Sequence, residues 1–213
     1  MKQTNIYNFV SDDDFRPLMT GVFHDNGTAV ASNAMVLLAS TRDYNEKHNG
    51  KVIGKDDKEI AQTEKSHYPK WRAIMPQHYT GYYCTPFPMD SLRAAVKHAS
   101  DYIKTAPKFA ELLGKRKRVQ RTTRVVVDCG EFIMAFSYEQ AKKFCTLPSD
   151  GEVVECEDKR RAVWYRNKKE GYEALLMPIV IGDYEKDAAE ALAKGVSNWQ
   201  DQKGMLMPTV FVA

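Results

Sequence analysis

Between residues 20 and 39 lies the signal that most narrows the fold: two apolar, β-prone runs separated by Asp25-Asn26-Gly27. Asn-Gly readily takes the positive φ values that a tight reversal between antiparallel strands requires. A parallel connection would instead need a dozen or more residues. Thr20 to His24 and Thr28 to Ala39 are therefore expected to pair as a hairpin. A second constraint sits far along the chain. Residues 173–181, EALLMPIVI, read as an apolar strand interrupted by Met177-Pro178. Proline has no N–H to give a strand ladder, so this strand must lie at an edge, carry a bulge, or stop where a binding surface begins.

The stretch between these landmarks reads as alternating strands and helices. A short strand pair is expected around Lys51–Ile53 and Glu59–Ile60, within a polar segment spanning 41–67. Leu92, Ala95, Val96, Ala99, Tyr102 and Ile103 recur at helical spacing in MDSLRAAVKHASDYI, with Arg93, Lys97 and Lys104 on the opposite side. Val125–Asp128 and Glu131–Phe136 read as strands joined at Cys129-Gly130. Ser137 with Gln140 forms a capping-box pattern that opens a short helix, Tyr138 to Cys145, with Lys142 and Lys143 outward. Strands are expected over Glu152–Cys156, Ala162–Tyr165 and Tyr172–Ile181, then a helix over Asp183–Gln200.

Charge is unevenly placed. The chain of 213 residues carries a net +3, yet residues 104–124 alone carry +7. Lys115, Arg116, Lys117 and Arg118 form the densest run in that segment. Such a block suits phosphate backbones, although a solvated basic loop has the same composition. No apolar run approaches the roughly 20 residues that would span a bilayer, so no membrane partner is expected. The dispersed Cys84, Cys129, Cys145 and Cys156 read as reduced thiols of a cytoplasmic protein. Gly-rich phosphate loops, HExxH and GxSxG are absent, and the histidines lack metal-ligand spacing. Asp12-Asp13-Asp14 reads as a turn rather than a cation site, and Cys145 beside Lys142 as packing rather than a nucleophile. These features point to a protein that is not an enzyme and needs no cofactor.

Several stretches, taken in order, resemble the bacterial DNA sliding clamp, the β subunit of DNA polymerase III. RPLMTGVFHDNGTAVASNAMVLLAS is similar to the clamp's middle-domain hairpin, and YPKWRAIMP to the link that follows it. MDSLRAAVKHAS is similar to the first helix of the last domain. The stretch from GEFIMAFSYEQAKKFC to EGYEALLMPIVI is similar to that domain's second half. The resemblance implies an α+β, DNA-clamp-like fold: antiparallel sheets with two helices on one face, plus a C-terminal helix. It implies a middle-domain remnant over 1–80, a last-domain-like part over 81–182, and a helix and tail over 183–213, or these parts joined in one compact domain. The family's first domain has no counterpart, the middle portion is cut down, and the basic segment 104–124 replaces expected strands.

By the same resemblance the chain would be a replication accessory, or processivity factor, binding double-stranded DNA without sequence preference. Arg93, Lys97, Lys104, Lys115, Arg116, Lys117, Arg118, Lys142 and Lys143 would contact phosphates, although each equally suits an ordinary solvated helix face. An apolar pocket of Met19, Ser32, Met35, Leu37, Pro76, Met177 and Pro178 would take linear peptides of polymerases or clamp loaders. The methionines among them suit core filling as well. A ring would need more copies of the chain, as a homo-oligomer, or another protein. The alternative is a stand-alone peptide-binding module that modulates clamp partners and forms no ring.

Overall fold

A computed structural model describes residues 4–63, 66–76, 84–105, 123–129, 133–156, 162–179 and 210–212. Asn26 and Gly27 take φ of +42° and +85°, so the reversal between β1 (Val22–Asp25) and β2 (Thr28–Ser32) is the two-residue hairpin expected. The return strand is not continuous to Ala39. It breaks after Ser32, and β3 (Val36–Ser40) turns back along β2. Ala34 takes φ +73°, and the Asn33 side chain accepts from the N–H groups of Met35 and Val36. This is the local asparagine chemistry that competes with a strand ladder.

Contacts divide the chain into two units, Met1–Pro86 with Thr146–Met177, and Phe87–Cys145 with Pro178–Ala213. The first of these units joins two segments distant in the sequence. The cause is strand pairing: β11 (Tyr172–Leu176) pairs antiparallel with β3 and so draws the later strands to the N-terminal ones.

The first unit contains a nine-stranded sheet of order β5-β4-β1-β2-β3-β11-β10-β9-β6. Here β4 is Val52–Ile53, β5 Glu59–Ile60, β6 Cys84–Pro86, β9 Glu152–Cys156 and β10 Val163–Asn167. β4 and β5 pair as expected. β11 ends at Leu176 rather than running to Ile181. Met177 still donates its N–H to Met35 O at 2.8 Å, and Pro178, which has no N–H, comes where that ladder has finished. One face of the sheet carries Val30, Leu37, Ala39, Val52, Val154, Trp164 and Leu175, covered by Leu18, Tyr68, Trp71 and Met75.

The second unit contains α1 (Met89–Thr105), α2 (Tyr138–Phe144), β7 (Arg124–Asp128), β8 (Ile133–Ser137) and β12 (Val210–Val212). Leu92, Ala95, Val96, Ala99 and Ile103 of α1 are buried, as their spacing predicts. α1 and α2 pack on each other and both on β7. Ser100 donates to Val96 O at 2.8 Å, so its single proton is used and Tyr138 OH donates across the helix pair to Ser100 Oγ at 2.8 Å. Ser137 N-caps α2 without the side-chain hydrogen bond of a capping box, and Tyr138 N–H, at the first helical position, donates to Thr123 O. β12 pairs parallel with β7 and β8 antiparallel, so the small sheet is mixed rather than antiparallel throughout. The helix expected over 183–200 lies outside the described residues. Among the described residues no helix is long and apolar enough to cross a membrane.

His24 is buried in β1, its Nδ1 accepting from Asn45 N–H at 3.2 Å and its ring 5.4 Å from that of His48. Burial, with His48 beside it, holds its pKa below the ordinary 6.5, and Asp43 opposes this only in part. The unfolded chain therefore takes up the proton first, so His24 contributes stability that is full above 6.5 and is lost as pH falls through the lower folded value. Thermal melts between about pH 7.5 and about pH 5.5 should show the wild type losing Tm, and His24→Asn, which keeps an acceptor, losing less. Equal losses would remove His24 as the cause.

Candidate functional site

The pocket residues inferred from the sequence are distributed unevenly. Leu37 stands opposite both Ser32 and Leu175, and the Met35–Met177 hydrogen bond extends the same face. The fold thus brings Ser32 and Leu37 on β2 and β3 close to Met35 and Met177, which lie just beyond the ends of β3 and β11. Leu37 is fully packed, and Met177 packs against the same cluster while part-exposed. Ser32 is buried with its hydroxyl committed to the turn: it donates to Val36 O at 3.1 Å and accepts from Ala34 N–H at 3.2 Å. Met19 is buried in a short 3₁₀ turn. Met35, Pro76 and Pro178 are half-buried, and Pro178 falls in the second unit.

A cavity of about 430 Å³ opens on the same face of the first unit, walled by Trp71, Met75, Pro76 and Trp164, with Arg166, Lys168 and Glu173 at its polar side. Of the pocket residues inferred from the sequence, Pro76 alone lines it. Trp71 is locked in place by β1. Its Nε1 donates to Asp25 Oδ2 at 2.9 Å, while Arg72 pairs with the same carboxylate and donates to Asp25 O at 3.1 Å. The Arg72 guanidinium also stacks 4.4 Å over the Trp71 ring. Tyr68 stacks on Phe23 at 5.0 Å and donates to Val30 O at 3.3 Å, its pKa pushed well up by burial. Sequence reasoning missed both tryptophans. The available signal was Trp164-Tyr165-Arg166, whose alternation sets Trp164 and Arg166 on one strand face.

On the second unit, Lys97 and Lys142 are exposed, Lys142 lying 5.5 Å over the Tyr138 ring. Arg93 pairs with Asp90 at 3.4 Å and Lys104 with Asp101 at 3.3 Å, both one turn away on α1. Lys143 is half-buried. Lys115, Arg116, Lys117 and Arg118 lie outside the described residues. Burial pushes the Cys145 thiol up to about 12, opposed in part by Arg93, which leaves it a poor nucleophile. Asp13 accepts from Phe15 N–H at 3.0 Å and its carbonyl from Arg16 N–H at 3.0 Å, so the acidic triplet builds a turn. Among the described residues no group of His, Cys, Asp and Glu could hold a metal ion.

No family model and no curated protein sequence matches the chain. Solved structures do. DNA polymerase III subunit beta of Borrelia burgdorferi aligns at 10% identity over 84% of this chain and 61% of that one, with a TM-score of 0.51. The C. crescentus beta sliding clamp aligns at 10% identity over 83% and 63%, with a TM-score of 0.52. The chain thus has a sliding-clamp-like α+β fold and spans about three fifths of the length of these clamps. At this identity the likeness is one of fold.

Removing the Asp25 carboxylate leaves the Trp71 N–H and Arg72 without their shared acceptor. Asp25→Ala should lower stability by about 2 kcal/mol, read as a fall in the urea midpoint, since hydrogen bonds to a charged group contribute about that much. Asp25→Asn should cost less. A neutral Asp25→Ala would show that Trp71 is held by packing alone.

Proposed function

We propose that the chain is a non-enzymatic, sliding-clamp-like accessory of DNA replication. In this reading it holds duplex DNA through sequence-independent phosphate contacts and takes up linear peptides of polymerases or clamp loaders. The observation that carries the reading is the clamp-like fold, found over more than four fifths of the chain. The exposed Lys97 and Lys142 on the two helices of the second unit supply point charges for phosphate oxygens. Arg93 and Lys104 sit in surface pairs that contribute little to stability, so a phosphate can compete for them. Met35 and Met177 offer a soft, adaptable apolar contact for varied peptide side chains, with Leu37 as the floor beneath them. A chain three fifths the length of a clamp protomer would need further copies, or another protein, to encircle DNA.

One observation favours the second reading, a peptide-binding module without a ring. Asp90 and Asp101 lie on α1 beside Arg93 and Lys104 and weaken the positive field a duplex would meet.

Two titrations separate the readings. Anisotropy of a labelled duplex across a salt series should give a slope of log affinity against log salt near about −3.6 for about four phosphates. Replacing Lys115, Arg116, Lys117 and Arg118 together by alanine should flatten it. Absence of binding at low salt would eliminate the DNA role. A clamp-binding peptide should bind at micromolar Kd, about −8 kcal/mol, and at least roughly tenfold more weakly to a Met35→Ala, Met177→Ala variant. Indifference to both substitutions would eliminate the peptide surface.

A further inference from the structure

Two features of the first unit are complementary and unused by the function proposed above. Phe15 is 96% exposed, the most exposed large apolar side chain among the described residues. It is presented by the Asp13 turn, and Arg16 pairs with Asp13 at 3.7 Å. Asp12 and Asp14, on either side of that turn, make no ion pair among the described residues. The other feature is the cavity between Trp71 and Trp164. At about 430 Å³ it has room for an aromatic ring, and its charged lining is Arg166, Lys168 and Glu173, positive on balance. Arg166 lies 3.8 Å from Glu173, too far for a hydrogen bond, and its Nε makes none among the described residues. Lys168 is exposed and makes no ion pair among them.

We infer that Phe15 of one copy docks in the Trp71–Trp164 cavity of a second copy, with Asp12 and Asp14 set against Arg166 and Lys168. The 96% exposure of Phe15 means that it does not fill the cavity of its own chain. The acidic knob and the basic, aromatic hole match in sign and in size, and both belong to the same molecule. A contact between two different patches is head-to-tail, so it adds copies in one direction and ends only by closing on itself. The aromatic ring is the anchor, and the rim charges set orientation and rate of encounter. The inference does not depend on DNA or peptide binding.

The test is sedimentation velocity of the full chain over a wide concentration range. The wild type should gain mass with concentration, and Phe15→Ala should remain monomeric with an unchanged Tm, since an exposed side chain adds little to folding. Asp14→Lys and Lys168→Glu should each weaken association about tenfold, and the two combined should restore it. Indole fluorescence should shift with association in the wild type and stay constant in Phe15→Ala. A wild type that stays monomeric throughout, as it would if Phe15 served an unrelated partner, overturns the inference. So does association that persists in Phe15→Ala, or charge reversals that fail to rescue each other.

Discussion

Everything in the first unit depends on the antiparallel ladder between β3 and β11. Val36 faces Leu176 and Ser40 faces Tyr172, so all five residues of each strand are paired. This ladder joins the five strands formed before residue 61 to β11, β10 and β9 and, through β9, to β6. Its register also sorts side chains. Leu37, Ala39 and Leu175 enter the cluster with Trp71 and Trp164, while Leu38, Ala174 and Leu176 are buried on the other face. A slip of one residue would exchange the two sets, and because both faces are covered, neither exchange is tolerated. The carboxylate of Asp25 then secures the link residues against this face.

Local chemistry was the legible part of the sequence. Asn26-Gly27 dictated a tight hairpin, and the apolar spacing of α1 named its buried side. The short β4–β5 pair was legible too, from its flanking turn residues. The break between β2 and β3 was not, because TAVASNAMVLLAS has no glycine or proline at the reversal and Ala34 takes the positive φ unannounced. The capping box misled for a different reason. Ser137 closes β8 and opens α2 at once, so its pairing with Arg124 in the ladder constrains it as well as the cap does.

Long-range placement was less accessible. Which strands share a sheet is settled by packing between segments far apart in the chain, and periodicity carries no record of it. The same holds for the candidate sites. Met35 and Met177 could be set together by family likeness, because each sits in a recognisable motif. Trp71 and Trp164 could not, since their meeting depends on Asp25 fixing one and strand alternation orienting the other. Charge was readable as a count and unreadable as a field: two of the three basic residues read on α1 have an acidic partner one turn away.

The parallel strand β12 lies along β7 with Val210 opposite Arg124, a pairing between segments far apart in the sequence. Until that pairing forms, the outer edge of β7 is a row of unpaired N–H and C=O groups of the kind that recruits foreign strands. Contacts of such long sequence separation form slowly, because the loop between them must close before the pairing rewards it. The small sheet is thus most open to misassociation late in folding, and the docking of β12 is the step that seals it.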